Sequence, residues 1–259
     1  MSDFLGKVLL ISGSTGIAEA TARGAADRGA QVFITSRTEA NCRALGESLP
    51  DAGYQAADLS EDGAAEAVVA GCVERYGRID LLFNVAGISG RKFGDGPLHE
   101  CTSQGWDTTM SVNVRSLYQL SHHALRQMLA QAPGANDRCG VILHMASVLG
   151  FSPEANHFTA HAYAASKGAI LGLTKAMAAY YAAHKIRVNA IAPALVATPM
   201  SERAQQNEEI LEFMKSKQPL TEGLINTDQV AEAALFLLGD GADVITGDVL
   251  TVDAGWCVS

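Results

Sequence analysis

The chain has 259 residues, 48% of them hydrophobic, and 19 basic against 28 acidic side chains give a net charge of −9. That balance argues against a nucleic-acid surface, which needs a basic patch, although a small phosphate site needs only local backbone donors. No apolar run is long enough to span a bilayer, and Met1–Asp3 leads into a strand-like stretch without a basic leader, so the expectation is a cytoplasmic protein with no membrane contact.

The first predicted element is a strand over Lys7–Ser12, followed by a helix over Ala18–Arg28. Between them runs Ser-Gly-Ser-Thr-Gly-Ile, and glycines there allow a sharp turn at a helix N-terminus, where an anion is favoured. Gly13, Ser14, Thr15, Gly16 and Ile17 are therefore candidates for holding a pyrophosphate, although a tight turn alone fits the segment too. No GK[ST] follows, which excludes a Walker A loop. The second strand, Gln31–Ser36, runs into Arg37, where an acid would ordinarily hold a ribose 2′-hydroxyl. The acid is missing. Ser36 and Arg37 suit a 2′-phosphate instead, unless Arg37 is a solvated surface charge.

The third strand, Tyr54–Ala57, is followed by Asp58-Leu59, where the carboxylate either meets an adenine amino group or caps the next helix, Ala64–Tyr76. The fourth, Ile79–Val85, ends in Asn84-Val-Ala-Gly87, and the small Ala86 and Gly87 would let a flat ring or ribose approach the sheet. A glycine-rich stretch, Ser89–Glu100, comes next, then a long segment over Val114–Ala130. The fifth strand, Gly140–Ser147, leads through Leu149–Ala160 to Tyr163 and Lys167 in YAASK. Positions i and i+4 share a helix face, so a lysine there can stabilise a phenolate, and a serine hydroxyl held opposite can bind an alcohol or carbonyl oxygen. The same spacing recurs at Tyr181 and Lys185, so the pattern needs context. A sixth strand, Arg187–Ala192, a polar and mostly helical insertion over about 196–227, and a seventh strand, Val249–Val252, complete the chain.

Strands of near-continuous apolar character are covered on both faces, and their alternation with alanine-rich helices predicts a three-layer, doubly wound parallel sheet of about seven strands, a Rossmann fold in one domain over 1–259. Ligands in such sheets collect beyond the strand carboxyl ends, so Ser89–Glu100, Leu149–Ala160 and the 196–227 insertion are expected to wall a pocket. Cysteines 42, 72, 101, 139 and 257 are dispersed, without zinc spacing, and are expected to be reduced thiols with no metal site.

Taken in order, Gly13 with Gly16-Ile17, Asp58-Leu59, NVAG at 84–87, Asn113 in SVNV, Ser147, Tyr163 with Lys167, RVNAIAP ending at Pro193, Thr198 and VDAGW at 252–256 resemble a short-chain dehydrogenase/reductase over about Lys7 to Trp256. The resemblance selects Tyr163-Lys167 over Tyr181-Lys185. It implies Tyr163 as acid/base, Lys167 lowering its pKa and bonding the nicotinamide ribose, Ser147 orienting the substrate oxygen, and Asn113 placing a water that links Lys167 to solvent. Pro193, Val196 and Thr198 would fix the nicotinamide carboxamide. The implied activity is interconversion of a secondary alcohol and a ketone with NADP(H), favoured by Ser36-Arg37, or NAD(H). A small-molecule alcohol or carbonyl is the implied substrate. A homodimer or homotetramer through the Val114–Ala130 and Ala162–Tyr180 helices is also implied. Two alternatives stay open: a dinucleotide-binding regulator without turnover, and a dehydrogenase of a cyclic diol or sugar.

The chain departs from the family pattern in three places. Its glycine loop is one residue short, with Ala18 in place of the last glycine. Val85 and Ala194 replace an asparagine and a glycine. The Ser147–Tyr163 interval is about three residues longer, which brings His157 and His161 into view as substrate contacts or structural histidines. Arg91, Lys92 and Arg203 lie in the variable walls, where they would either meet an acidic substrate group or be solvated.

Overall fold

Strand residues buried on both faces set the architecture. In β1 (Val8–Ser12), Leu9 and Ile11 enter one apolar cluster while Val8 and Leu10 enter another on the opposite face. The computed structural model describes residues 4–134 and 137–259. Beyond β1 lie β2 (Gln31–Ser36), β3 (Gly53–Ala56), β4 (Leu81–Asn84), β5 (Gly140–Met145), β6 (Ile186–Pro193) and β7 (Val249–Val252), all parallel in the order β3-β2-β1-β4-β5-β6-β7. The order reverses between β1 and β4, the place where a parallel sheet opens a crevice at its carboxyl edge.

The helices are α1 (Ile17–Asp27), α2 (Glu39–Ser48), α3 (Ala64–Tyr76), α4 (Ser103–Met110), α5 (Ser116–Ala130), α6 (His161–Tyr181), α7 (Glu202–Gln205), α8 (Glu208–Lys217) and α9 (Thr227–Leu238). Side chains from α1, α2 and α9 bury one face of the sheet, and side chains from α3, α5 and α6 bury the other. This is the expected three-layer, doubly wound sheet. Among the described residues, no helix is long and apolar enough to cross a membrane.

Strand ends differ from expectation where side chains take over the ladder. The fourth strand is shorter at both ends: Ile79 N donates to Gln131 Oε1 at 3.1 Å, and Val85 N is shared between Ser12 Oγ at 3.0 Å and Ser12 O at 3.2 Å. The fifth stops at Met145, because Ser147 leaves the sheet to head a 3-10 turn over Val148–Gly150. The insertion after β6 carries α7 and α8 and is tied at its base by a parallel bridge between Val196 and Ile225. The fully buried Gln218 reinforces it, accepting from Leu195 N and donating to the carbonyls of Leu195 and Gly223.

Candidate active site

A cleft of about 980 Å³ opens over the carboxyl ends of β1, β2, β4, β5 and β6. Ser147, Tyr163 and Lys167 line one stretch of its wall. Ser147 reaches it from the end of β5, while the other two share a face of α6, four residues apart as a helix requires. Lys167 is buried, and its Nζ donates to the Met145 carbonyl at 2.8 Å while lying 5.5 Å from the centre of the Tyr163 ring. Burial pushes the Lys167 ammonium down to about 8. Burial pushes the Tyr163 phenol up, against a lowering hydrogen bond from Ser147. Ser147 thus favours ionisation of the phenol through a hydrogen bond, while the Lys167 ammonium, bonded to a backbone carbonyl, acts on the ring only as a charge at a distance.

Asn113 stands in a π-helical turn, Ser111–Arg115, between α4 and α5, a distortion often found at functional sites. Its Oδ1 accepts from Ile88 N at 2.8 Å, and its Nδ2 donates to Ile88 O and to Ser166 Oγ, each at 3.0 Å. Ser166 Oγ in turn donates to the Tyr163 carbonyl at 2.7 Å, so Asn113 braces α6. A methyl group on Gly87 would fall 3.1 Å from Asn113 Oδ1 and 3.7 Å from Lys167 Nζ, so glycine keeps the space between those atoms open.

The start of α6 is held by a residue that local sequence does not point to. Ala160 stands at the N-cap and offers no side-chain acceptor; instead Asp95, from the Ser89–Glu100 stretch, accepts from Ala162 N and Tyr163 N, both at 2.9 Å. A carboxylate suits those free donors and the positive end of the helix dipole. Beside it, His161 Nδ1 accepts from Leu98 N at 2.9 Å. His161 is therefore a structural link, and His157 packs at a tilt against Phe213 with ring centres 4.9 Å apart. Tyr181 and Lys185 lie at the amino end of β6, at the opposite edge of the sheet from the cleft.

On the β1–β2 side the shortened loop forms an open cradle. Gly16 heads α1 with φ 59° and no side-chain cap, which leaves the first helical N–H groups free. A β-carbon on Gly13 would lie 2.8 Å from Ala18 Cβ, so the Ala18 methyl occupies the room that the missing Gly13 side chain leaves. Ser12 Oγ ties this turn to the next strand, accepting from Val85 N and Ala86 N at 3.0 and 3.2 Å. Ser14 Oγ and Ser36 Oγ share a hydrogen bond of 2.8 Å. Arg37 is exposed and lines the cleft, and the nearest acid beyond it, Glu39, pairs with Arg43 at 2.6 Å. Asp58 accepts from Ser60 N and Ser60 Oγ and sits near enough to Arg37 for that charge to favour its carboxylate. It does not cap α3, which begins after Gly63.

Of the remaining candidates, Thr15, Ile17, Leu59, Ala86, Gly87, Pro193, Val196 and Thr198 all line the cleft. Three residues stand behind its wall: Gly16 against Thr198, Asn84 with Nδ2 on Ser121 Oγ at 3.0 Å, and Asn113. Free helix N–H groups above a glycine turn, small residues at the end of β4 and an arginine at the end of β2 without an ion pair among the described residues fit a dinucleotide with its phosphates over α1.

Comparisons with known proteins agree with this arrangement. A family model described as enoyl-(acyl carrier protein) reductase matches residues 11–257. A cis-4-hydroxycyclohexanecarboxylate dehydrogenase from Sinomonas cyclohexanicum is 33% identical over 98% of this chain and 97% of its own. An L-xylulose reductase from Bos taurus is 32% identical over 97% and 96%. The crystal structure of a 3-ketoacyl-(acyl-carrier-protein) reductase from Brucella melitensis complexed with NADH superposes with a TM-score of 0.87 at 30% identity, covering 98% of this chain and 99% of that one.

Proposed function

The chain belongs to the short-chain dehydrogenase/reductase family, and from that premise we propose how its residues divide the work of an NAD(P)-dependent oxidoreductase that interconverts a secondary alcohol and a ketone. When bound, the nicotinamide cofactor supplies the two-electron redox chemistry. Tyr163 transfers the proton: its phenol donates to the carbonyl oxygen in reduction and takes the proton back from the alcohol in oxidation. Ser147, beside the phenol, holds that oxygen in line and lowers the phenol's pKa. Lys167, charged below its pKa of about 8, keeps a cation 5.5 Å from the ring and so favours the phenolate once it forms. Asn113 fixes α6 through Ser166, and its Oδ1 borders the space beside Gly87, where a water would join Lys167 to solvent.

Gly13 to Ile17 would hold the phosphates, Asp58 and Leu59 the adenine end, Ala86 and Gly87 a ribose or ring, and Pro193, Val196 and Thr198 the carboxamide end. Ser36 and Arg37 favour NADP(H), with NAD(H) possible, because no acid remains there to bond a 2′-hydroxyl. A cyclic alcohol or a sugar fits the same reading, since two relatives are by name a hydroxycyclohexanecarboxylate dehydrogenase and a xylulose reductase. The chain acts in this reading as one nucleotide-binding domain with the 196–227 segment as substrate lid. Exposed Tyr118 and Leu129 on α5 and Tyr180 on α6 support a homodimer or homotetramer through those helices.

The observation that carries the reading is the convergence of Ser147, Tyr163 and Lys167 on one cleft, braced by Asn113. Tyr163→Phe keeps the fold and lowers kcat by about 10³-fold, within the usual range for losing a general acid. A folded variant that turns over as fast as the natural protein would sink the mechanism.

A further inference from the structure

Arg91, from the turn Arg91–Phe93, and Arg203, on α7, reach the mouth of the cleft from opposite borders. Both donate to the same acceptor, the His157 carbonyl oxygen, at 3.2 and 3.0 Å. Two guanidinium groups thus share one neutral oxygen, and Lys92 lines the same mouth. Among the described residues neither arginine has a carboxylate within ion-pair distance, nor does Arg37. Seven of the chain's twelve arginines do have such a partner. Of the other five, Arg37, Arg91 and Arg203 line the cleft, whereas Arg126 and Arg187 do not.

Two of the local acids, Asp95 and Glu154, are already committed. Asp95 is occupied by the first N–H groups of α6, and Glu154 accepts from the N–H groups of Asn156, His157 and Phe158. Glu202, which lines the cleft next to Arg203, accepts from Gln206 at 3.4 Å and has no ion pair with either arginine. Arg91 is half-buried, and its burial together with the charge of Arg203 pushes its pKa down, outweighing the opposing effect of Asp95. A planar anion with two oxygens would satisfy both forks and relieve their mutual repulsion, which a single peptide carbonyl does only in part.

We propose that Arg91 and Arg203 form a carboxylate-recognition subsite at the mouth of the cleft, so that the preferred substrate is a secondary alcohol or ketone carrying a carboxylate remote from its reacting carbon. The proposal rests on the oxidoreductase reading of the same cleft. It also explains why two arginines flank the lid: an anionic substrate would bridge α7 to the Ser89–Glu100 wall and draw the mouth closed over Tyr163.

A binding experiment that needs no turnover tests it. Cyclohexanecarboxylate and the uncharged cyclohexanecarboxamide are titrated into the protein with and without saturating NADPH, using calorimetry and the fluorescence of Trp256, which packs in the cleft against Phe158 at 5.6 Å. The carboxylate is expected to bind at least about tenfold more tightly than the amide, with the margin shrinking as salt is added. The Arg91→Gln/Arg203→Gln protein should bind the two alike and keep its affinity for NADPH. Arg203→Gln alone, on an exposed side chain, should lose part of the margin, and it reads the subsite even if the Arg91 substitution disturbs folding. Equal or undetectable binding of both probes to the natural protein overturns the proposal. So does a preference that survives both substitutions, or loss of NADPH affinity in place of carboxylate affinity. A protein inert toward every alcohol but selective for the carboxylate would sink the oxidoreductase reading and leave the subsite standing.

Discussion

Lys167, on the inner wall of the cleft, and Asn113 behind it are buried and hydrogen-bonded to fixed protein partners, whereas Arg37, Arg91 and Arg203 line the same cleft with no ion pair among the described residues. In the proposed mechanism the inner wall performs one proton transfer, and its groups must be held in place before substrate arrives. In the proposed subsite the mouth recognises charge that arrives with a ligand, so leaving its cations uncompensated is useful there. Preorganisation on one side and unmet charge on the other are two ways to prepare a site.

The hardest test of that contrast is Lys167→Met. It should lower kcat by about 10²-fold or more, since the cation that favours the phenolate is gone. Stability should move the other way. The folded-state pKa of Lys167 is about 8, below the 10.5 of an unperturbed lysine. Its destabilising contribution is therefore present in full below about pH 8 and disappears as pH rises toward the unfolded value. Shifts of this size correspond to roughly 3 kcal/mol, and loss of the bond to Met145 O returns about 1 kcal/mol of it. Urea unfolding at pH 7 should show the variant more stable by about 2 kcal/mol, with the advantage gone near pH 10. A variant that is less stable at both pH values would mean that the lysine is not strained by burial.

Asp95→Ala should have the next largest effect. It removes two charge-assisted bonds from the first turn of α6 and should destabilise the protein by about 2–3 kcal/mol. It should also lower kcat more than it raises KM, because Tyr163 N is one of the released groups. Asp95→Asn, which keeps one acceptor, should recover part of both losses. Equal effects on kcat and KM would place Asp95 in substrate binding and blur the line between inner wall and mouth.

Asp95 also marks where the sequence stops being legible. The sheet could be read from it because strands buried on both faces are continuously apolar, and all seven are found within a few residues of expectation. Ser147, Tyr163 and Lys167 could be read because one strand end and one helix face hold them, so local geometry brings them together. The bond from Asp95 to the helix start joins residues 67 positions apart, and the tie from Ser12 to Ala86 joins residues 74 apart. Side-chain bonds to distant backbone have no periodicity and leave no local mark. The shortened loop shows the same limit, since the fit of the Ala18 methyl beside Gly13 becomes visible only once both are placed.

His144 extends the contrast to pH. It lies fully buried in β5, bonded to Thr174 Oγ1 at 2.9 Å, and burial pushes its pKa down to about 3. Because the folded value lies below the unfolded one, its neutral form is free of penalty above about pH 6.5, and stability is lost as pH falls from there toward 3. At pH 5 the loss is about 2 kcal/mol. His144→Asn should flatten the dependence of the urea midpoint between pH 7 and 5, whatever it does to the midpoint itself. An unchanged slope would assign acid sensitivity to groups outside the sheet.

Arg37→Ala should give the smallest effect, because the side chain is exposed and works through screened charge. The expected outcome is about a tenfold rise in the Kd for NADPH, or about 1.4 kcal/mol, with NADH affinity nearly unchanged. Fluorescence titration of both cofactors at low and high salt separates two explanations. A contact to the 2′-phosphate affects NADPH alone, and its contribution falls as salt rises. A general attraction for dinucleotides weakens both cofactors equally. Equal weakening would take Arg37 out of cofactor selection and leave it as one more cation at a mouth that draws anions. The contrast with the inner wall would survive, but its role in choosing NADP(H) would pass to Ser36 and the Ser14 hydroxyl bonded to it.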